Sequence, residues 1–281
     1  VIEVIRSSAN ARVKRLRSLR EKKYRRQEGL FLAEGLRIGI EALDAGWQPE
    51  AIAYLAGRED HPLVRRLIRA TRGDILPMTA DVLATLSGKD NPQAVVLAFA
   101  IPSRTLADLP AGRLYLAAER LRDPGNLGTL LRACDGAGSA GLVLLGETTD
   151  PFSVEAVRAS MGAVFTIPFA EAGADDFRAW AVGKRLTGAA LDPRARDYRT
   201  LDYGDPAIIL LGNEAEGLPE DLKAACDQLA IIPMRGRADS LNVAMAGTLL
   251  LYEALRWADR EAVPRGTFAN RPLGAVHHEL D

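Results

Sequence analysis

The 281-residue chain reads as an α/β protein in two consecutive parts. Three observations carry that reading. Short apolar runs alternate with segments of helical spacing from residue 10 to about residue 257. A stretch bearing Pro102, Pro110 and Gly112, without periodicity, divides the series at 101–112. Hydrophobic residues make up 48% and charged residues 26%, the balance of an ordinary globular protein and not of a disordered tail.

In the first part Asn10 can cap a basic helix reaching about Gln27, with Val13, Leu16, Leu19 and Tyr24 near helical spacing. Residues 30–33 read as a short strand, 36–44 as a helix ended by Gly46, and 51–55 as a strand. A helix at 63–70, a strand at 75–78, a helix at 80–86 and a strand at 94–100 complete a small α/β sandwich. The break at 101–112 is the expected linker. Beyond it come strands at 115–118, 141–145, 164–167, 185–190, 207–211 and 229–232. Helices are expected at 128–136 and 153–160, and a short one starts with Pro219 at its first position. A last helix runs from Ser240, a candidate cap, to about Trp257, and a frayed tail follows residue 265.

Several classes are excluded. No apolar run approaches the ~18 residues of a membrane span, and the longest, 94–101, stops at Pro102. The charged N-terminus leads into no apolar signal region, and Glu21, Glu28 and Glu34 interrupt any transit-peptide character. Cys134 and Cys226 form neither zinc spacing nor a disulfide framework, so a reducing, cytoplasmic setting without a metal is expected. His61, His277 and His278 fall in no motif. The net charge of −1 hides an asymmetry: residues 1–37 carry a balance of +7 and the rest −8. A basic arm on an acidic body is either a phosphate-contacting surface or a solvated Arg-rich helix.

Three loops of the second part follow strands directly, where open α/β sheets bind ligands. The first runs from Glu119 to Gly128 and feeds a helix carrying Arg132. It has neither the G-x-G-x-x-G nor the P-loop spacing, and its plain account is a Pro-Gly turn with Asn126 as cap. The second spans Gly212 to Gly217, whose glycines admit a ligand to the backbone; Glu214 could simply complement the dipole of the helix after Pro219. The third, 232–243, contains Ser240, explained by capping, and Asn242, a mediocre helix former that capping by Ser240 does not explain.

Together the loops are more specific than any one of them. Asp123-Pro-Gly-Asn-Leu-Gly-Thr-Leu-Leu-Arg132, Leu211-Gly-Asn-Glu-Ala-Glu-Gly-Leu218 and Ile232-Pro-Met-Arg-Gly with Ser240-Leu-Asn-Val-Ala resemble the SpoU/TrmH branch of the SPOUT RNA methyltransferases. Ser160-Met-Gly162 also looks like a family element. The front part, with Asn10, Lys14, Leu16, Leu19, Arg25-Arg26 and Phe31-Leu-Ala-Glu-Gly35-Leu-Arg, resembles the substrate-binding domain of several ribosomal-RNA members, related to a ribosomal-protein fold.

The resemblance implies an RNA substrate-binding domain at 1–100, a linker at 101–112, a methyltransferase domain with a deep trefoil knot at 113–262, and a tail at 263–281. It implies methyl transfer from S-adenosylmethionine to a ribose 2′-hydroxyl, most naturally of 23S ribosomal RNA, by a homodimer that needs neither metal nor membrane. Thr187, Gly188, Ala189, Gly212, Asn213, Gly217, Ile232, Met234 and Leu241 would hold the cofactor. Asn126, Arg132, Glu214, Ser240 and Asn242 would form the catalytic set. Guanidinium groups stay protonated at neutral pH, so a cation stabilising the developing alkoxide is favoured over a tuned base, and a Glu214–Arg132 pair would favour it further. Arg12, Lys14, Arg15, Arg17, Arg25 and Arg26 would contact RNA phosphates. Competing readings are a transfer-RNA methyltransferase, a resistance methyltransferase, a non-catalytic ribosome-assembly factor and a Rossmann protein; the last lacks the fingerprint glycines.

Overall fold

The computed structural model describes residues 3–87 and 94–262. The expected tail, with His277 and His278, lies outside the described residues. Helices α1 (Ala11–Ser18) and α2 (Lys22–Glu28) open the chain. Then follow β1 (Leu30–Glu34), α3 (Leu36–Asp44), β2 (Ala51–Leu55), α4 (Pro62–Ala70), β3 (Asp74–Met78), α5 (Ala80–Ser87) and β4 (Val95–Ala100). The strands lie in the order β1-β4-β2-β3, with β4 antiparallel to both neighbours and β2 parallel to β3. Along β4, Val95, Leu97 and Phe99 enter one apolar cluster and Val96 and Ala98 the other. This two-residue period marks a strand buried on both faces. Ile38 of α3 and Leu67 of α4 cover the first face; Val13 and Leu16 of α1 and Leu83 of α5 cover the second.

Asn10 caps α1, its side chain accepting from the Arg12 N–H at 2.9 Å. The single basic helix expected to reach Gln27 breaks at Leu19. Arg25 of α2 folds back and donates to the carbonyls of Leu19 and Arg20 at 2.8 and 2.7 Å. Helix ends leave such carbonyls unpaired, and here one guanidinium satisfies two of them.

The stretch at 101–112 contains one regular piece, a 3-10 turn at Leu106–Asp108 closed by a capping box from Thr105. Next come β5 (Leu114–Glu119), α6 (Pro124–Gly136), β6 (Gly141–Leu145), α7 (Val154–Ala159), α8 (Ala163–Thr166), β7 (Phe169–Ala172) and α9 (Ala174–Ala181). The chain continues through β8 (Arg185–Ala189), β9 (Arg196–Asp197), β10 (Ala207–Leu211), α10 (Glu220–Ala225), β11 (Gln228–Ile231) and α11 (Val243–Ala262). The seven strands form a parallel sheet in the order β7-β6-β5-β10-β8-β11-β9. Strands β5, β6 and β10 are buried from end to end, as continuous apolar runs in parallel sheets require.

Three expectations are corrected here. Residues 164–167 are no strand: Gly162, at φ +99°, starts the one-turn helix α8, and the strand comes later, at Phe169–Ala172. A short apolar run suits either state, and burial of Val164 and Phe165 satisfies both. Helix α6 begins at Pro124, with Asp123 as its cap, and not at Gly128 with Asn126 as cap. Helix α11 begins after Asn242: its Oδ1 accepts from the N–H groups of Ala244 and Met245 at 2.9 and 3.4 Å, while Ser240 stays exposed. Helix α9 and strand β9 had no expectation at all.

The two sheets share one aromatic cluster. Phe31 and Phe99 of the first sheet meet Phe152, in the turn before α7, and Phe165 of α8 at centroid distances of 4.7 and 4.9 Å. Trp47 stacks edge-on to Phe165 at 5.2 Å and donates its indole N–H to the Phe165 carbonyl at 2.9 Å. Beside it, Arg25 pairs with Asp150 at 2.7 Å. Gly162 lies so close to Glu41 of α3 that a Cβ there would overlap its carboxylate.

Candidate active site

The carboxyl ends of β5, β10 and β11 bring the three loops together. Asn126 lies in the first turn of α6, Glu214 in the loop after β10, and Asn242 at the start of α11. The Asn242 amide donates to Asn126 Oδ1 at 2.9 Å, and Asn126 Nδ2 donates to Glu214 Oε1 at 3.3 Å. Glu214 Oε2 accepts from the Arg122 N–H at 3.4 Å. Asn242 therefore serves twice, capping α11 with its oxygen and orienting Asn126 with its nitrogen. That second task accounts for an asparagine at this position.

Beneath this chain of amides lies a cavity of about 580 Å³. Its walls include Ala189, Gly212, Asn213 and Gly217, and apolar Ile232, Met234 and Leu241. Glu214, Ser240 and Asn242 reach it as well. Gly212 is required by space: a Cβ would overlap the backbone of Gly217 and Leu218. The loop is held by Asn213, whose backbone pairs with Gly217 at 3.1 and 2.9 Å and whose Oδ1 accepts from Ala215 and Glu216. Its side chain is thus spent on loop shape. At the rim, Lys223 pairs with Asp192 at 3.4 Å, and hydrogen bonds from Arg194 hold the Asp192 carboxyl well below the usual carboxylate range.

Not every predicted residue arrives there. Thr187 and Gly188 lie within the sheet, Thr187 fully buried and accepting from Gln228 at 2.9 Å, Gly188 packed against Cys226 and Leu218. Strand β8 sits between β10 and β11, so only its end, Ala189, reaches the cavity. Arg132 is exposed on α6, off the cavity wall, and its side chain makes no hydrogen bond or ion pair with any described residue. A Glu214–Arg132 pair, which would have favoured the cation role further, is not formed. Six residues along a helix place Arg132 about 240° around the axis from Asn126, whereas Glu214 faces Asn126.

In the basic arm, Arg25 is buried and cannot meet RNA; Arg12 pairs with Asp74 at 3.6 Å and Arg15 with Glu28 at 2.8 Å. Lys14, Arg17 and Arg26 remain exposed. Sequence reasoning missed Arg120, Glu216 and Lys223. Arg120 sat in a loop already singled out, but its bond to Glu216 joins residues 96 apart, which no local pattern displays. Among the described residues no group of three or more His, Cys, Asp or Glu side chains is placed to hold a metal, and no helix is long and apolar enough to cross a membrane.

A parallel sheet with a loop-built cavity at its carboxyl edge, apolar on one side and amide-lined on the other, defines a ligand-binding α/β protein. Comparison with known proteins specifies it. Residues 113–252 match the SpoU rRNA Methylase family, and residues 10–97 match an MRM3-like substrate binding domain. A 23S rRNA (uridine(2479)-2'-O)-methyltransferase of Streptomyces viridochromogenes is 31% identical, over 89% of this chain and 91% of the relative. A 23S rRNA (guanosine(2553)-2'-O)-methyltransferase of Bacillus subtilis is 29% identical, over 88% of this chain and 97% of the relative. The AdoMet-bound rRNA methyltransferase structure from Sinorhizobium meliloti superposes with a TM-score of 0.83 at 42% identity, covering 90% of this chain and 97% of that one. The chain belongs to the SpoU rRNA methylase family and is an RNA methyltransferase.

Proposed function

We propose that this enzyme transfers a methyl group from S-adenosylmethionine to a ribose 2′-hydroxyl of 23S ribosomal RNA. The observation that carries the reading is the hydrogen-bonded line Asn242–Asn126–Glu214 at the mouth of the Gly212–Gly217 cavity. The named relatives, 2'-O-methyltransferases of 23S rRNA, supply the substrate class.

The cavity suits the cofactor. Its volume of about 580 Å³ falls in the ordinary range for small-molecule sites, and Ile232, Met234 and Leu241 offer an apolar bed for adenine. The absence of a side chain at Gly212 lets the loop close on Gly217 and Leu218 beside the cavity. When bound, the sulfonium supplies an electrophilic methyl carbon. The protein must then orient the ribose and stabilise the oxygen as its proton leaves. Asn126 and Asn242 hold one another and Glu214 in line, and such positioning contributes on the order of 7 kcal/mol or more to a barrier. Arg132 lies off this cavity's wall, so as a cation it meets the developing alkoxide only where a second copy of the chain brings it to that copy's cavity.

In the same reading, 1–100 is the RNA substrate-binding domain, 101–112 the linker and 113–262 the knotted methyltransferase domain. Lys14, Arg17 and Arg26 meet phosphates, and the enzyme works in the cytoplasm as a homodimer. An exposed apolar stripe on α11, Met245, Leu249 and Tyr252, supports pairing. Gly136, one turn beyond Arg132 on α6, lies against the Tyr252 hydroxyl, so Arg132 belongs to the surface that pairing covers.

The test is transfer of label from S-adenosylmethionine to total RNA of a strain lacking this protein, with primer extension to map 2′-O-methyl stops. A discrete stop in 23S rRNA is expected. Arg132→Ala should lower transfer by about 10²-fold or more while leaving cofactor binding intact. Label confined to transfer RNA would overturn the substrate, and loss of both activities in Arg132→Ala would make Arg132 structural.

A further inference from the structure

Two non-glycine residues of the described chain hold positive φ, Arg120 at +43° and Met161 at +50°. Left-handed backbone disfavours any residue with a Cβ, and glycine would adopt it freely. An arginine at position 120 therefore suggests that its side chain has work to do.

Arg120 directly follows β5. Its N–H donates to the Leu145 carbonyl at 2.8 Å and its carbonyl accepts from Asn213 Nδ2 at 2.8 Å. Its guanidinium forks between two carboxylates. Nε donates to Glu119 Oε1 at 2.6 Å, and the terminal nitrogen donates to Glu216 Oε2 at 2.5 Å. Glu119 is only 7% exposed, and its second oxygen is buried with no hydrogen-bond partner. A carboxylate so placed needs a cation, and among the described residues Arg120 is the one it pairs with. Glu216 is exposed at its far end and lines the cavity. One residue thus joins the loop that carries Asn126 to the loop that carries Glu214 and Gly217, through its carbonyl and through its side chain.

We infer that Arg120 is a positioning residue for cofactor binding: anchored on buried Glu119, it clasps Glu216 and holds the Gly212–Gly217 loop in its receiving shape. The inference rests on reading the cavity as the S-adenosylmethionine site. The buried carboxylate fixes where the guanidinium starts, and the planar fork fixes where Glu216 must be. Lysine carries the charge but not the fork.

The test is calorimetric titration of the full-length enzyme with S-adenosylmethionine, comparing wild type, Arg120→Lys, Glu216→Gln and the double variant. Arg120→Lys keeps a cation beside Glu119, so the fold is retained, and Glu216→Gln alters an exposed group. Each single change should weaken binding about tenfold, and the double change no more than either, because both break one clasp. The KM for S-adenosylmethionine should rise in step while the KM for RNA holds. Wild-type affinity in both single variants would overturn the inference. So would about a hundredfold loss in the double variant, which marks two independent effects. If the wild type itself binds no S-adenosylmethionine, the reading of the cavity fails and this inference with it.

Discussion

Asn242 is where capping and chemistry meet in one side chain. Its oxygen accepts from the first N–H groups of α11 and its nitrogen donates to Asn126. The two tasks are separable by substitution. Asn242→Asp keeps the cap acceptor and removes the amide donor, so thermal stability should hold while kcat falls. Asn242→Ala removes both, and should cost about 1 kcal/mol of stability as well as activity. Thermal melts run beside methyl-transfer assays distinguish them; equal activity in Asn242→Asp and wild type would remove Asn126 orientation from the mechanism. The two cysteines behave in the opposite way, as inert core. Burial pushes both the Cys134 and Cys226 thiols up to about 12. Neither should react with thiol reagents at pH 8 in the folded enzyme. Because their folded values lie above the ordinary value of 9.0, they contribute stability fully present below pH 9 and lost as pH rises towards about 12. Chemical denaturation at pH 8 and pH 10.5 reads that loss.

At the scale of elements, the basic arm divides into structural and exposed charges. Arg25 caps the carboxyl end of α1 and pairs with Asp150 across the two sheets, its side chain 4% exposed. Arg25→Ala leaves Asp150 and two carbonyls unpaired and should cost about 3–5 kcal/mol of stability. Lys14, Arg17 and Arg26 should behave otherwise. Their triple replacement by Gln should leave the melting temperature near wild type, weaken RNA binding, and reduce the salt slope of log K by about 2 if all three meet single-stranded phosphates. An unchanged salt slope would move the RNA path off this arm. The charge count of residues 1–37 exposed the asymmetry but not this division, since carbonyls and a distant aspartate, not charge density, decide which arginine is buried. The same limit explains α8: Val164, Phe165 and Ile167 are apolar in any state, and only the turn at Gly162 and the packing on α3 make this segment helical.

At the scale of the molecule, the exposed stripe Met245, Leu249 and Tyr252 recurs at three- and four-residue spacing along α11, on the side away from β10. If two copies pair through it, as proposed, α6 and Arg132 enter the covered surface. Met245→Glu with Leu249→Glu should give a folded monomer by light scattering, with methyl transfer strongly reduced. A dimer that survives both glutamates would place the interface elsewhere. The aromatic cluster of Phe31, Phe99, Trp47, Phe152 and Phe165 has a different meaning for the whole chain. It joins the two sheets through one apolar core, so the arm and the cavity are held at a set distance.

Much of this was legible from the order of residues. Alternation of apolar runs and helical spacing is a local property, and it located both α/β series and the break between them. The three loops announced themselves because glycines, prolines and capping residues act on their own neighbours. Gly212, Gly217, Ile232, Met234 and Leu241, which the family resemblance named together, all line one cavity. Tertiary structure alone decided the partners. Asn242 meets Asn126 across 116 residues, and Arg25 meets Asp150 across 125. It also parted what the family resemblance had grouped: Arg132 turns away from Glu214, and Thr187 and Gly188 stay inside the sheet. Periodicity specifies which face of an element is apolar. Which elements then become neighbours, and which polar groups each must satisfy once water has left, is settled only when the sheets close on their core.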